Sequence, residues 1–250
     1  ITKIGSGVFN NTKIETIIIP KTIINMQLGV FDNITTLKTI YVEEGNINYV
    51  SDQNGVLYTI NYKNLFKYPE GNISTIYEIN INTIKILDNA FSNNSFIKEI
   101  TINTRLQEVK GEYFYNLNSL EKFICSEENT NYSVDNFILY TKDYTSLIKV
   151  PENYQNNSLT LHNLTTSIKK NAIRNIEKVN RIDILNVLNI EDNSILNLPN
   201  IIYIKNNKDL TNNYNLNLIK NTDWYYESFL LNVDERFISV NGFYSTSNLS

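Results

Sequence analysis

Ile1-Thr2-Lys3-Ile4-Gly5-Ser6-Gly7-Val8-Phe9, followed after a short polar turn by Ile14-Glu15-Thr16-Ile17-Ile18-Ile19-Pro20, is the stretch from which the fold can be read. The pattern returns along the chain. With Phe9 as its large apolar anchor, the corresponding anchors are Phe31, Phe91, Phe114, Ile173 and Ile195, in steps of 22, 60, 23, 59 and 22 residues. Short and long steps alternate, so a larger unit of 81 to 83 residues repeats as well. Self-similarity at a fixed period marks stacked repeats, in which one unit cannot bury its apolar side alone and each neighbour completes it.

Within the first unit Ile1 and Ile4 are expected to point inward, Gly5 to allow a close backbone approach, and Val8 and Phe9 to plug the layer. Ile14, Ile17 and Ile19 then supply a strand that Pro20 stops. The second unit reads the same way through Ile24, Met26, Phe31, Leu37, Ile40 and Val42. Each unit alternates in and out through a short strand and then changes to a helix-like period around its anchor. Four further units follow, the later ones losing the glycine and exchanging Phe for Ile. A repeat of roughly 20–29 residues corresponds to a leucine-rich-repeat solenoid.

The long steps contain an insert at about 44–72. There Asn54-Gly55-Val56-Leu57-Tyr58 and Leu65-Phe66-Lys67-Tyr68-Pro69 read as two strands around the turn Asn61-Tyr62-Lys63-Asn64, a β-hairpin carried by the solenoid. A second copy at about 127–157 has Asn136-Phe137-Ile138-Leu139-Tyr140 and Leu147-Ile148-Lys149-Val150-Pro151, with the same 11-residue spacing from Tyr to Pro. The expected organisation is a solenoid over 1–226, closed by a cap at about 205–226 that includes Trp224, and a C-terminal extension or further β element at 227–250.

Bulk properties narrow the function. A net charge of −4 gives no basic field to attract phosphate backbones, so nucleic acid is not an expected partner. The 43 Asn and 36 Ile among 250 residues are what an AT-rich coding sequence produces, and N-x-S/T matches such as Asn33-Ile34-Thr35 therefore carry no glycosylation argument. A single cysteine, Cys125, excludes an internal disulfide and a multi-cysteine metal site, and its place in Phe123-Ile124-Cys125 is that of a small core residue. No apolar run approaches the roughly 20 residues of a membrane span. The chain begins inside a repeat, which is the expectation for a piece of something longer, with export and anchoring signals outside it.

No catalytic constellation, metal site or cofactor is expected. His162 is the lone histidine, and phosphate loops, zinc-helix motifs and nucleophile elbows are missing from the sequence. The adjacent acids Glu43-Glu44, Glu127-Glu128 and Glu191-Asp192 follow strand ends and are expected to face water. Binding is the more credible chemistry. On a solenoid sheet the residue between two inward ones points outward, giving the row Ile18, Tyr41, Thr101, Ile124, Asp183 and Tyr203. Its mixture of aromatic, β-branched and charged side chains suits a protein-binding face, although the same residues also favour strand packing. The inserts offer a second surface through Tyr58, Tyr62, Tyr68, Tyr140 and Tyr144, whose alternative role is to brace adjacent repeats.

Ile-x-x-Ile-Gly-x-x-x-Phe followed by Leu-x-x-Ile-x-Ile-Pro, with the two tyrosine-and-proline inserts, resembles the BspA-like (type 5) leucine-rich repeats of bacterial cell-surface proteins. The Tyr214 to Trp224 segment is similar to the closing motif of such arrays. The resemblance implies a β-rich α/β leucine-rich-repeat solenoid of about six units with a sheet face, two inserts and a cap. It also implies a surface-exposed or secreted, non-enzymatic module. In some members that module adheres to host or neighbouring-cell surface proteins or extracellular matrix. The rival expectations are a structural spacer within a larger surface protein, and a sugar-binding or enzymatic module on a solenoid frame.

Overall fold

The computed structural model describes residues 1–198 and 200, and beyond them the backbone of the strands named below. They form two compact units, Ile1–Asn131 and Tyr132–Ser250.

The first unit contains the strands β1 (Lys3–Ile4), β2 (Thr16–Ile19), β3 (Asn25–Met26), β4 (Thr39–Val42), β5 (Tyr49–Ser51), β6 (Leu57–Thr59), β7 (Asn64–Lys67), β8 (Ile76–Glu78), β9 (Lys85–Ile86), β10 (Glu99–Ile102) and β11 (Lys122–Cys125). Apart from β5 and β6, they pair in parallel with their counterparts in the next turn: β1 with β3, β2 with β4, β7 with β9, and β8 with β10 and then β11. Alternation holds along the longer strands, whereas Ile1, Val8 and Ile24, expected to face inward, lie outside them or at their ends and are 98%, 58% and 51% exposed. Ile19, Ile40, Ile100 and Ile102 are fully buried while Ile18 and Tyr41 face out. Each buried Ile or Phe contributes roughly 1.5–3 kcal/mol. The anchors stack turn on turn, with Phe9 and Phe31 rings 5.9 Å apart and Phe91 and Phe114 rings 5.6 Å apart. Cys125, expected in the core, is half-buried, and its Sγ donates to the Ser126 carbonyl.

The segments around the anchors are turns rather than helix. Among the described residues helical backbone is confined to 3-10 stretches at Ile60–Tyr62 and Gly111–Phe114. The cause lies two residues to either side of five of the anchors, and two residues after the sixth, Phe114. Before the anchor stand Gly7, Gly29, Asn89, Asn171 and Asn193, and after it Asn11, Asn33, Asn93, Asn116, Asn175 and Asn197, all with φ between 53° and 79°. A left-handed residue on each side of the anchor ends any right-handed helix, and Asn is the residue that best replaces Gly in that conformation. The glycine lost two residues before the anchor has become Asn at 89, 171 and 193, and Glu112 before Phe114, where the 3-10 turn forms. Gly5, expected at a close approach, has ordinary contact distances of 3.7 Å to its nearest neighbours.

A second set of asparagines is buried. Asn94 donates to the carbonyls of Pro69, Glu70 and Asn72, one turn back, and its Oδ1 accepts from the backbone of Phe96 and Ile97. Asn46 makes the same double connection to Pro20 and Ile23 on one side and Asn48 and Tyr49 on the other. Asn103 and Asn129 continue it, Asn129 donating to the carbonyl of Asn103. These side chains satisfy backbone groups at the corners that the sheet ladder does not reach.

The second unit contains β12 (Tyr132–Asp135), β13 (Ile138–Thr141), β14 (Ser146–Lys149), β15 (Ser158–Thr160), β16 (Ser167–Ile168), β17 (Ile173–Arg174), β18 (Arg181–Leu185), β19 (Asn189–Ile190), β20 (Ile195–Leu196), β21 (Tyr203–Asn206), β22 (Tyr225–Leu230), β23 (Asp234–Ser239) and β24 (Gly242–Ser245). Its core gathers Ile168, Ile173, Ile182, Ile184, Ile190 and Ile195 from successive turns. Parallel pairing runs from β15 through β18 and β21 to β22, and β22, β23 and β24 are antiparallel. The expected cap around Tyr214 and Trp224 lies outside the described residues.

Replacing Asn94 by Ala strands three carbonyls and two N–H groups at a fully buried corner. Urea denaturation is expected to show a loss of about 3 kcal/mol, against less than about 0.5 kcal/mol for exposed Asn118→Ala. Equal effects would reject a structural role for the buried asparagines.

Candidate binding surfaces

The outward row is divided into patches. Ile18 stands directly opposite Tyr41 in the β2–β4 register, and the two are 65% and 48% exposed. Beside them Thr16 and Thr39 share a hydroxyl hydrogen bond of 2.9 Å, and Glu15 meets Lys38 at 2.8 Å. Thr101 and Ile124 form a second pair, aligned with Glu78 on β8 and half-buried. The first insert lies between the two patches. The carbonyl of Gly55 accepts from Ile40, Ser51 Oγ accepts from Val42, and Asn72 donates to the carbonyls of Lys38 and Asn54. A Cβ at Gly55 would sit 2.8 Å from that of Thr39, so only glycine lets the insert lie this close to β4. In the second unit Asp183 aligns with Thr160 and Lys205, while Tyr203 aligns with Arg181, two residues away from the expected row. Asp183 is held by Arg181 Nε at 3.0 Å. The Tyr203 side chain lies outside the described residues.

The inserts do not present the expected tyrosine surface. Tyr58, Tyr68 and Tyr140 are fully buried. Each insert is a three-stranded antiparallel piece, β5–β6–β7 or β12–β13–β14, whose last strand joins the coil in parallel with β9 or β16. That strand is a turn of the solenoid, and the strand before it, β6 or β13, is covered as well, so Tyr58 on β6, Tyr140 on β13 and Tyr68 just past β7 belong to the core. The Tyr68 ring packs 5.0 Å from Tyr77 and 5.2 Å from Phe91. Tyr58 and Tyr77 hydrogen-bond through their hydroxyls, and Tyr77 donates to Asp52 at 2.6 Å. Burial pushes the hydroxyls of Tyr58, Tyr77 and Tyr140 well above the usual phenol value of 10.0. Tyr62 and Tyr144 keep partial exposure; Tyr144 stacks on His162 at 4.1 Å, and His162 Nδ1 accepts from the Leu164 backbone.

The same strands hold a polar feature not anticipated from the sequence. Lys67 is buried 3.1 Å from Glu70 and 3.0 Å from Asp32, and Lys149 is buried 3.2 Å from Glu152. The signal was available as Lys67-Tyr68-Pro69-Glu70 and Lys149-Val150-Pro151-Glu152, two copies 82 residues apart in apolar surroundings. Burial pulls the Lys149 ammonium below its ordinary value, against the opposing pull of Glu152. Of the adjacent acids, Glu43 accepts from the Lys21 backbone, and Glu191 bridges Lys169 across one turn at 2.9 Å. Among the described residues no group of three or more His, Cys, Asp or Glu is placed to hold a metal ion, and no helix is long and apolar enough to cross a membrane.

The repeats match the BspA type leucine rich repeat region, in six copies over residues 1–65 and 59–156. The chain belongs to that family. No curated protein matches it in sequence. Solved structures with the same fold include the pneumococcal vaccine antigen PcpA, at a TM-score of 0.58 and 20% identity over 84% of this chain and 49% of that one. A leucine-rich repeat protein from Eubacterium ventriosum has a TM-score of 0.52 and 17% identity over 82% of this chain and 54% of its own. For a leucine rich cell surface protein from Faecalibacterium prausnitzii the values are 0.51 and 16%, over 82% and 64%. This BspA-type chain thus spans between about half and two-thirds of the length of those proteins.

Two outcomes test the interior just described. Lys149→Met leaves Glu152 buried without its cation and is expected to cost about 3–5 kcal/mol in urea denaturation, most of it recovered in Lys149→Met/Glu152→Leu; a double variant no better than the single would reject the paired-charge account. Above pH 10 the unfolded chain ionises the buried tyrosines while the folded chain keeps their protons, so stability falls as pH rises from 10. Absorbance near 295 nm should accordingly show a tyrosine fraction that titrates only with loss of the β circular-dichroism signal.

Proposed function

We propose that this chain is a non-enzymatic protein-binding module displayed on or secreted from a bacterial cell, adhering to a host or neighbouring-cell surface protein or extracellular matrix through its solenoid sheet. The observation that carries the reading is the pair Ile18 and Tyr41, large apolar side chains held in register on a sheet face and left 65% and 48% exposed. Apolar anchors rimmed by hydroxyls and an ion pair, here Thr16, Thr39, Glu15 and Lys38, are the composition of a protein contact with a dry centre and a polar edge. Family membership supports the surface setting, as does the fold shared with a leucine rich cell surface protein and a vaccine antigen.

The test is a solid-phase screen of the purified chain against extracellular-matrix and epithelial surface proteins, beside Ile18→Ser/Tyr41→Ser. Saturable binding weakened at least about tenfold in the variant, or 1.4 kcal/mol, is the expected result. Binding unchanged in the variant would remove the sheet from the function. No binding to any arrayed protein would leave the chain as a spacer.

A further inference from the structure

The two buried lysines differ in one partner. Lys67 touches two carboxylates at once, its Nζ lying 3.0 Å from Asp32 Oδ1 and 3.1 Å from Glu70 Oε1, and the side chains of Lys67, Asp32 and Glu70 are 3%, 21% and 0% exposed. The Asn89 carbonyl at 3.4 Å and Ser92 Oγ at 3.5 Å are its other neighbours. Asp32 is also held from its far side, since Asn89 Nδ2 donates to Oδ2 at 3.4 Å. Glu70 is fixed through Oε1, which accepts from the Asn33 backbone at 2.9 Å and from Asn93 Nδ2 at 3.4 Å, while Oε2 is buried with no protein donor. The second insert repeats the pair as Lys149 and Glu152, but Tyr115 follows its preceding anchor Phe114 where Asp32 follows Phe31. One acid suffices to balance one lysine, as it does at Lys149. Asp32 is the additional group.

We propose that Lys67 and Asp32 join in an amide bond, an intramolecular cross-link that forms once the chain has folded, with Glu70 moving the protons. The folded chain holds the amine against the carboxyl group, and groups positioned in this way react at effective concentrations that free solutes cannot reach. The Lys67 ammonium passes one proton to Glu70 Oε1, and the amine nitrogen so freed attacks Asp32 Cγ. Glu70 then delivers that proton, and a second one taken from the nitrogen, to Asp32 Oδ1. The C–N bond forms, the C–Oδ1 bond breaks, one water leaves and Glu70 returns as the carboxylate. Asn89 Nδ2, already on Oδ2, is the donor for the charge that builds on the oxygen that stays. Two buried charges become one neutral amide, which removes the cost of keeping them from water. The bond also closes residues 32–67, which contain most of the first insert, into a covalent loop and so reduces the freedom of the unfolded chain.

The experiment is intact-mass spectrometry of the full chain after acid unfolding, followed by tryptic mapping. The chain should be lighter than its sequence by one water, and residues 22–38 and 64–85 should be recovered as a single product, joined through Asp32 and Lys67 and uncut after Lys67. Asp32→Asn should link with loss of ammonia in place of water, and Lys67→Arg should restore the full mass. Glu70→Gln, shown by circular dichroism to keep its β signal, should be recovered largely unlinked, because removing a general acid–base group slows a reaction by about 10²–10⁴. The full sequence mass in the parent chain overturns the proposal whatever the variants do. So does a water loss that survives Lys67→Arg, which would place it in an imide at another aspartate. Complete linking in folded Glu70→Gln would overturn the role given to Glu70.

Discussion

A coil that turns a corner every few residues leaves backbone N–H and C=O groups at each corner that no strand can pair, and these groups must still be satisfied if the coil is to be packed. This chain meets the requirement with asparagine. Asn46, Asn94, Asn103 and Asn129 reach back one turn with the amide nitrogen and forward into their own turn with the oxygen, so each corner is tied to the one before it. The parallel ladders, the stacked anchors and the alternation of buried and exposed strand residues all presuppose turns stacked in register. Stacking in register is what these side chains enforce.

The same requirement accounts for the inserts. A hairpin attached to the outside of the coil would interrupt stacking, whereas β7 and β14 stack as turns in their own right. At the anchor place these turns carry Tyr68, whose ring stacks on Phe91, and Val150, each followed by Pro-Glu, and a buried lysine three residues before the glutamate balances its charge. A buried ion pair is weak in net terms but strict in geometry, because either partner left alone is an uncompensated charge. The same pair appears in both units, in the turn that resumes the solenoid after each insert.

What the coil leaves outside is more varied than a uniform sheet. Successive sheet strands expose an apolar pair at Ile18 and Tyr41 and a half-buried pair at Thr101 and Ile124. The corner side instead exposes amides, since the backbone there needs left-handed residues and Asn is the polar one that complies. One chain therefore offers two kinds of surface for reasons that begin in its backbone.

The repeat, its period and most of the inward residues, though not Ile1, Val8 or Ile24, were legible from the spacing of Phe9, Phe31, Phe91 and Phe114, because burial of one side of a repeating coil writes an apolar period into any sequence that adopts it. The outward pairing of Ile18 with Tyr41 and of Thr101 with Ile124 followed from that alternation as well. Asparagine was less legible: base composition supplies it freely, and only the positive φ values at Asn89 or Asn171, and the burial of Asn94, separate the residues that hold corners from those that fill them. The tyrosines of the inserts read as a surface because period alone does not tell a strand with one covered face from a strand with two. That was settled by β7 and β14 pairing with the coil, a contact between residues about 20 positions apart, and by β6 and β13 folding back on them, which together buried Tyr58, Tyr68 and Tyr140 and brought Lys67 to Asp32 and Glu70. The sequence by itself thus determined which residues repeat and which side of each turn is apolar, since both are local consequences of period. Tertiary structure decided which polar groups meet and which surfaces remain open, since those depend on what the neighbouring turn places against them.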